Sequence, residues 1–210
     1  MGGMTEHGLI AESVRVLKLD ARLGAFITSC GPLPFRHAHT EDPFQALCRS
    51  IIYQQISGSA AASVLARFKT LWPRKTFPAP RDVTRSDPVR LRSSGLSQQK
   101  AGYLKDLAAK FLDGTIDPAQ FPKMSDEEII EHVCAVKGVG RWTAQMFLMF
   151  TLHRPDVLPT GDLGIQKAFQ RVFHLRRLPT PQRMEVLSAP WRGHRTVACF
   201  YLWRMLDTKS

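Results

Sequence analysis

The sequence has no apolar run long enough to cross a bilayer. Its first residues, Met1–His7, show no basic segment followed by an apolar stretch, which is the pattern of a signal peptide. We therefore expect an intracellular protein with no membrane partner.

Cysteine is scarce and scattered, at positions 30, 48, 134 and 199. No two cysteines form a C-x-x-C pair, so the spacings typical of zinc sites and iron–sulfur clusters are both missing. The pattern predicts buried, reduced thiols and no iron–sulfur cluster.

Acidic residues are few, with 18 Asp and Glu against 29 Lys and Arg, which gives a formal net charge of +11. The excess is concentrated in the last third, where residues 141–210 hold 11 Lys and Arg against 4 Asp and Glu. Such a balance suits a polyanionic partner, because cationic side chains neutralise phosphates and release counterions. A solvated basic face, as in other basic proteins, is the alternative interpretation of the charge alone.

Alternating strand patterns and internal repeats are also missing, and the apolar spacing is helical almost throughout. The predicted fold is therefore all-α, with short loops. Helices are predicted over Leu9–Leu19, from Pro43 after the N-cap Asp42, from Gly58 to Pro73, from Ser97 to Asp113, after the capping box of Ser125 and Glu128, from Arg141 to Leu152, from Gly161-Asp162, from Thr180-Pro181 and over Arg192–Leu206, with a connector at Pro73–Pro80 and a turn near Pro88–Arg92.

Gly138 and Gly140 stand between two predicted helices, within the segment Val136–Ala144. Glycines let the chain turn sharply and approach another surface closely. The N-terminus of the following helix presents N–H groups without intrahelical partners, which suits a phosphate, and Lys137 and Arg141 add positive charge. A plain tight turn between two core helices is the alternative.

The amino-acid sequence of Val136–Ala144, followed by Asp162, resembles the hairpin motif of the helix-hairpin-helix (HhH-GPD) DNA glycosylase superfamily. Within that superfamily it is most similar to the 3-methyladenine DNA glycosylase II branch. The resemblance runs from about Phe44 to Arg204. Its further motifs, in the order of the family, are Ile51–Ser57, Gly95–Ser97 with Lys100–Leu104, and Trp191-Arg192 through Tyr201–Arg204.

This resemblance implies a two-lobed helical fold with the DNA-binding and active-site cleft between the lobes. The whole chain, 1–210, is expected to form one glycosylase unit. Lobe one would comprise about 40–151 and end in the hairpin, and lobe two about 1–39 plus 152–210. The extra N-terminal β domain of the best-known bacterial members is not expected.

The resemblance also implies the activity. Asp162 matches the essential aspartate of the family, whose carboxylate stabilises positive charge on the sugar while the N-glycosidic bond breaks. Trp142 stands where lyase members carry a nucleophilic Lys, and an indole cannot form a Schiff base. We therefore expect a monofunctional base-excision repair glycosylase that flips out alkylated bases such as 3-methyladenine and 7-methylguanine and leaves an abasic site. The local sequence around Asp162 alone predicts a helix N-cap, and one carboxylate can serve both as an N-cap and as the catalytic group.

Further site residues are assigned by matching the motifs of the family. Trp142 and Trp203 match aromatic residues of the base pocket, where an indole face would favour an electron-poor or cationic base, and Met146 replaces a pocket aromatic. Gln55 matches the residue that fills the gap left by the flipped base, with a polar helix end as its alternative. The DNA-binding set is Gln55, Lys137, Gly138, Val139, Gly140, Arg141 and Thr143, and the backbone carbonyls of Cys134, Val136 and Val139 are predicted to hold a monovalent cation, Na⁺ or K⁺.

The expected partner is double-stranded DNA with a damaged base, and the expected state is a monomer that needs no obligate protein partner and no cofactor. The protein would act in the cytoplasm of a bacterium, associated with the nucleoid, or in the nucleus of a eukaryote. Three alternatives stay open: a non-catalytic helix-hairpin-helix DNA-binding module, a glycosylase for deaminated or ethenoadenine bases, and a bifunctional lyase, which the missing Lys disfavours.

Overall fold

A computed structural model describes residues 6–33 and 42–207, and within these ranges every regular element is a helix. The all-α prediction is thereby confirmed. The α-helices are α1 (Glu6–Leu17), α2 (Leu23–Cys30), α3 (Pro43–Tyr53), α4 (Gly58–Thr70), α5 (Pro80–Arg85), α6 (Pro88–Arg92), α7 (Gln98–Leu112), α8 (Asp126–Cys134), α9 (Arg141–Phe150), α10 (Leu163–Val172), α11 (Pro181–Leu187) and α12 (Arg195–Asp207), with short 3-10 turns at Phe121–Lys123 and Ala189–Trp191. None of the helices in the described ranges has the length and apolar character that a membrane span requires.

The chain divides into two compact units. The central unit is Ala38–Thr151, and the split unit joins Met1–His37 to Leu152–Ser210. The central unit therefore carries α3 to α9, and the split unit carries α1, α2 and α10 to α12.

Side-chain caps fix most of the predicted helix starts. Asp42 accepts the N–H of Gln45 at 3.0 Å, with Pro43 in the first turn. Ser97 accepts the N–H of Lys100 at 3.1 Å. Ser125 and its partner three residues later form the predicted capping box. These helix starts need only local hydrogen bonds, so the sequence pattern predicts them correctly.

Two helices were not predicted, because their first turns are stabilised in less usual ways. In α2 the residue at the N-cap is Arg22, whose side chain makes no cap bond, and Asp20 instead accepts the N–H groups of Arg22 and Leu23 at 2.9 and 2.8 Å. In α5 the N-cap is an alanine, and Asp82 accepts the N–H of Ala79 at 2.7 Å. The prediction of a proline-rich connector over Pro73–Pro80, followed by a helical turn near Pro88–Arg92, was therefore incomplete, because it left out α5.

The last helix begins at Arg195 rather than at Arg192. Gly193 has a φ of +83°, a left-handed conformation that interrupts the helix between the 3-10 turn and α12. The interruption places the N-terminus of α12 beside the loop that leads to α10, as the hydrogen bonds below show.

Each unit has its own apolar core. In the split unit, Trp191 is buried against both Phe169 and Phe173, with ring centroids 5.4 and 5.7 Å away, and its Nε1 donates to Asp20 at 3.0 Å. In the central unit the largest fully buried side chains are Phe68, Leu47, Ile51, Ile52, Leu91 and Leu104. Burying one such side chain contributes about 1.5–3 kcal/mol. Of the four cysteines, Cys48 and Cys199 are buried and the other two half-buried.

Candidate active site and DNA-contact residues

Asp162 is the N-cap of α10, in the split unit. Its Oδ1 accepts the backbone N–H of Ile165 at 2.8 Å and the indole Nε1–H of Trp203 at 3.0 Å. The carboxylate is half-buried. Two donors on one oxygen fix the side-chain orientation, so the predicted cap role and a fixed, charged acceptor coexist at this residue.

Gly164 lies next to both Asp162 and Trp203. It was not among the predicted site residues. A Cβ at this position would lie 3.0 Å from Oδ1 of Asp162 and 3.2 Å from both Cδ1 and Nε1 of Trp203. Only glycine leaves the pair undisturbed, although a glycine inside a helix costs about 1 kcal/mol relative to alanine. The one signal in the sequence was the unfavoured glycine in the first turn of α10.

The loop that precedes Asp162 is held by the N-terminus of α12. Arg195 donates from Nε and Nη2 to the two carboxylate oxygens of Asp156, at 2.7 and 2.9 Å. The hydroxyl of Thr196 donates to the carbonyl of Arg154 at 2.6 Å and accepts the N–H of Val157 at 3.0 Å. The hydrogen bond with Asp156 raises the pKa of the Arg195 guanidinium further above its usual value. Because Trp203 lies on α12 as well, one helix holds both the loop and the carboxylate.

The predicted hairpin lies between α8 and α9 in the central unit. Gly138 has a φ of +78°, a left-handed conformation that favours glycine. Val136 and Val139 are buried, while Lys137 and Gly140 are exposed. The two valines therefore anchor the turn, and the residues between and after them face solvent.

Side chains of helix α7 contact the main chain of the hairpin. Asp106 accepts the backbone N–H of Lys137 at 2.8 Å. The ring of Tyr103 packs so closely on Gly138 that an added Cβ would lie 2.1 Å from its Cε2. From the C-cap of α3, the side-chain amide of Gln54 donates to the carbonyl of Gly138 at 2.9 Å. The motif that contains Tyr103, Lys100–Leu104, is visible in the sequence, but this supporting role is not.

The N-terminus of α9 begins at Gly140, for which the described chain provides no side-chain cap. Its first amides are those of residues 140–143, and the N–H of Ala144 closes the first helical bond with the carbonyl of Gly140 at 3.0 Å. The side chain of Thr143 is buried, so contact with a phosphate at this residue would use its backbone N–H.

Arg141 does not stand alone at the helix start. Its guanidinium forms a bidentate pair with Glu127, at 2.6 and 2.7 Å, and both side chains are more than half exposed. The pair raises the pKa of Arg141 and lowers the pKa of Glu127, chiefly through the hydrogen bond between them. Part of the positive charge predicted for this surface is thus balanced within the protein.

Trp142, Met146 and Phe150 follow one another at four-residue intervals on α9, which places them on one face of the helix. The indole of Trp142 is 51% exposed and the ring of Phe150 47% exposed. Large aromatic side chains that stay about half exposed on one helix face are typical of surfaces that bind a ligand.

Gln55 follows α3 and is exposed. Its φ of +57° is unusual for a residue with a side chain. Lys100, on α7, donates from Nζ to the carbonyls of Ile52 and Gln54, at 2.8 and 2.6 Å. Partial burial lowers the pKa of the Lys100 ammonium.

The chain belongs to the HhH-GPD superfamily of base excision DNA repair proteins, whose family pattern matches residues 48–192. This match confirms the resemblance seen in the sequence. The chain is 33% identical over 172 residues to DNA-3-methyladenine glycosylase 1 of Schizosaccharomyces pombe, covering 81% of this chain and 75% of that protein.

Two solved structures have the same fold. The 3-methyladenine DNA glycosylase of S. pombe in complex with abasic DNA superposes with a TM-score of 0.79 at 32% identity, covering 94% of this chain and 97% of the other. The DNA-3-methyladenine glycosidase of Bacillus halodurans superposes with a TM-score of 0.82 at 30% identity, covering 99% and 94%. The protein therefore falls in the 3-methyladenine glycosylase branch of the superfamily.

Proposed function

We propose that this protein is a monofunctional DNA glycosylase that hydrolyses the N-glycosidic bond of alkylated bases in double-stranded DNA and leaves an abasic site. The observation that carries the proposal is the fixed carboxylate of Asp162, held by the N–H groups of Ile165 and Trp203 at a helix N-terminus. Family membership and the similarity to 3-methyladenine glycosylases support the choice of substrate.

The chemistry follows from the charge that develops on the sugar. Departure of the base leaves an oxocarbenium-like centre at the anomeric carbon, which an ionised carboxylate stabilises or to which it directs a water. A carboxylate whose orientation is fixed before the reaction needs no reorganisation at the transition state. Asp162 supplies such a group. A cationic base such as 3-methyladenine or 7-methylguanine is in addition a good leaving group.

The base would be recognised by aromatic and apolar side chains. Trp142 and Met146 present one face of α9, and Trp203 lies against Asp162. An indole face attracts a cationic or electron-poor ring more than a neutral one. The same groups also accept neutral lesions such as ethenoadenine or hypoxanthine, so a panel of substrates has to rank them.

The absence of strand cleavage rests on the chemistry of Trp142. In lyase members of the superfamily a Lys at this position attacks the sugar, and an indole has no amine for a Schiff base. Borohydride treatment during turnover should therefore trap no covalent protein–DNA complex. A trapped complex would assign the protein to the bifunctional class.

DNA would be held at the hairpin. The amides of α9 and the cationic Lys137 and Arg141 suit a phosphate. A Na⁺ or K⁺ on the carbonyls of Cys134, Val136 and Val139 would bridge hairpin and phosphate. The Val136 carbonyl can take part in such a site. It accepts one hydrogen bond, from the N–H of Val139 at 3.1 Å, and its second lone pair remains to bind a cation. DNA affinity that stayed the same when both ions were replaced by a bulky organic cation would rule the bridge out.

The protein is expected to act as a monomer on chromosomal DNA, in the bacterial cytoplasm or the eukaryotic nucleus. Light scattering of the free protein and of its complex with one DNA duplex would test the stoichiometry. A dimer in either state would contradict the monomer.

The deciding experiment compares wild type with Asp162→Asn on duplex DNA containing 3-methyladenine or 7-methylguanine. Asn is as good an N-cap as Asp, so the fold should be retained while the charge is lost. We expect base release to fall by about 10²–10⁴-fold with little change in DNA affinity. Equal activity would refute the role of Asp162. A wild type that binds DNA but releases no alkylated, deaminated or oxidised base would favour the non-catalytic binding module.

A further inference from the structure

Lys100 joins α7 to the end of α3. Its ammonium donates to two main-chain carbonyls of the last turn of α3 and the residue after it, those of Ile52 and Gln54. The carbonyls at a helix C-terminus have no intrahelical partners, and a cation there also opposes the helix dipole. Lys100 therefore fixes the path of the chain just before Gln55.

Gln55, which directly follows Gln54 and is exposed, has an unusual backbone conformation. Gln55 adopts a φ of +57°, a conformation that is unfavourable for a residue with a Cβ and persists only where the surroundings impose it. Both the main chain and the side chain of the neighbouring Gln54 are hydrogen-bonded. Its carbonyl accepts from Lys100, and its side-chain amide donates to the carbonyl of Gly138. The surroundings thus dictate where the Gln55 side chain leaves the chain.

The same helix also supports the hairpin. Gln99 Nε2 donates to the Tyr103 hydroxyl at 2.6 Å, the Tyr103 ring packs on Gly138, and Asp106 binds the N–H of Lys137. Residues 99, 103 and 106 share one face of α7, and Lys100 lies beside it. Helix α7 thereby supports both the hairpin and the Gln55 segment, all within the central unit.

We propose that Lys100 is a positioning residue that holds Gln55 in place to fill the gap left by a flipped base. The inference rests on the proposed function, in which a base leaves the stack and Gln55 fills its place. Filling the gap offsets part of the cost of unstacking, which is a few kcal/mol. The effect of Lys100 should therefore be largest where the lesion is paired and stacked.

The test compares Lys100→Met with a matched control, Lys105→Met. Lys105 also lies on α7 and donates from Nζ to one carbonyl, that of Ser86 at 2.8 Å, away from Gln55. Single-turnover base release is measured on the same lesion placed opposite a normal base and opposite an abasic analogue. Opposite the abasic analogue the lesion is unpaired, so flipping it out breaks no base pair. Lys100→Arg, which keeps the cation and its donors, serves as the conservative variant.

We expect Lys100→Met to lose roughly tenfold or more on the paired lesion and less than about threefold on the unpaired one, with partial rescue by Lys100→Arg. Lys105→Met should affect both substrates alike. Gln55→Ala should reproduce the pattern of Lys100→Met, and the double variant should add no further loss, since the two residues act as one unit. Equal losses on both substrates, or losses that multiply in the double variant, would overturn the proposal.

A second readout needs no catalysis. Amide hydrogen exchange at residues 53–56 of the free protein should accelerate in Lys100→Met and not in Lys105→Met, because opening of this segment becomes easier. Unchanged exchange would overturn the positioning role. If wild type released no base while this exchange difference was present, the proposed function would fail and the positioning of Gln55 by Lys100 would stand.

Discussion

In the central unit, side chains act on the main chain: Gln54, Tyr103 and Asp106 fix the peptide groups of the hairpin at Lys137 and Gly138. In the split unit the relation is reversed, because donors from the main chain and an indole fix one side chain, that of Asp162. A phosphate is bound by backbone amides, whereas bond cleavage needs a charged carboxylate. Substitutions in the first unit should therefore impair binding, and those in the second should impair chemistry.

The largest combined loss of stability and DNA affinity is expected from Gly138→Ala. The new Cβ would overlap the Tyr103 ring and would require a left-handed conformation, which costs about 1–2 kcal/mol even without the overlap. We expect the melting temperature to fall by roughly 5–10 °C and DNA affinity by more than about tenfold.

Gly140→Ala is the matched control for that change. Gly140 has a negative φ of −102°, and no atom of the described chain lies within 4 Å of a Cβ at this position. Its unfolding temperature should fall by no more than about 2–4 °C, because Ala is a poorer N-cap than Gly by roughly 1 kcal/mol and nothing else is disturbed. Equal destabilisation by the two substitutions would contradict the close contact between Gly138 and Tyr103.

Gly164→Ala should separate stability from activity. The substitution improves helix propensity by up to about 1 kcal/mol but brings a Cβ to 3.0 Å from Oδ1 of Asp162 and 3.2 Å from Trp203. We expect base release to fall by about 10–100-fold, as displacement of a catalytic group by a fraction of an ångström does, while the unfolding temperature changes little.

The control for Gly164→Ala is Gly102→Ala in α7, where a Cβ meets no atom of the described chain within 4 Å. This variant should be as stable as wild type or more stable, by about 0.5–1 kcal/mol, and fully active. Full activity of Gly164→Ala would show that the orientation of Asp162 tolerates displacement, and the contrast between the two units would weaken.

Trp203→Phe keeps an aromatic ring and removes the donor to Asp162. A hydrogen bond to a charged group contributes about 1.5–3 kcal/mol, which corresponds to roughly 10–150-fold, so a loss of at least about tenfold in single-turnover base release is expected. Trp203→Ala removes the ring as well and should lose more. If Phe matched wild type while Ala was impaired, Trp203 would serve the base by stacking alone.

The smallest effect is expected from Glu127→Gln, which releases Arg141 from its exposed ion pair. Such pairs contribute little to stability, so the fold should be unchanged. DNA affinity should rise about two- to fivefold at low salt, with a steeper dependence on salt concentration as one more cation contacts phosphate. Glu131→Gln, one turn along α8, removes the same charge without a bond to Arg141 and should raise affinity less.

The parts of the fold that the sequence predicted are those determined by neighbours in the chain. The capping side chains of Asp42, Ser97 and Ser125 contact the N–H groups three residues ahead, and the glycine of the hairpin adopts the positive φ that glycine permits. The helices α2 and α5 were missed because their caps depart from the usual residue at the usual position.

The supporting contacts of the site could not be predicted from local patterns. Trp203 contacts Asp162 from 41 residues away, and Gln54 reaches Gly138 across 84 residues. Tertiary structure alone creates such pairs. The role proposed for Asp162 as the reacting carboxylate depends on family resemblance, since its local pattern is that of a helix cap and the structure contains that cap bond as well.

The separate roles proposed for Asp162 and the hairpin are tested by measuring two quantities on Asp162→Asn and Gly138→Ala side by side: affinity for an abasic-site duplex, and the single-turnover rate of base release from a 3-methyladenine duplex. We predict that Asp162→Asn keeps affinity within about threefold while its rate falls by roughly 10²–10⁴-fold. Gly138→Ala should lose affinity but, at saturating protein, retain most of its rate. An Asp162→Asn variant that releases base at the wild-type rate would contradict the central claim.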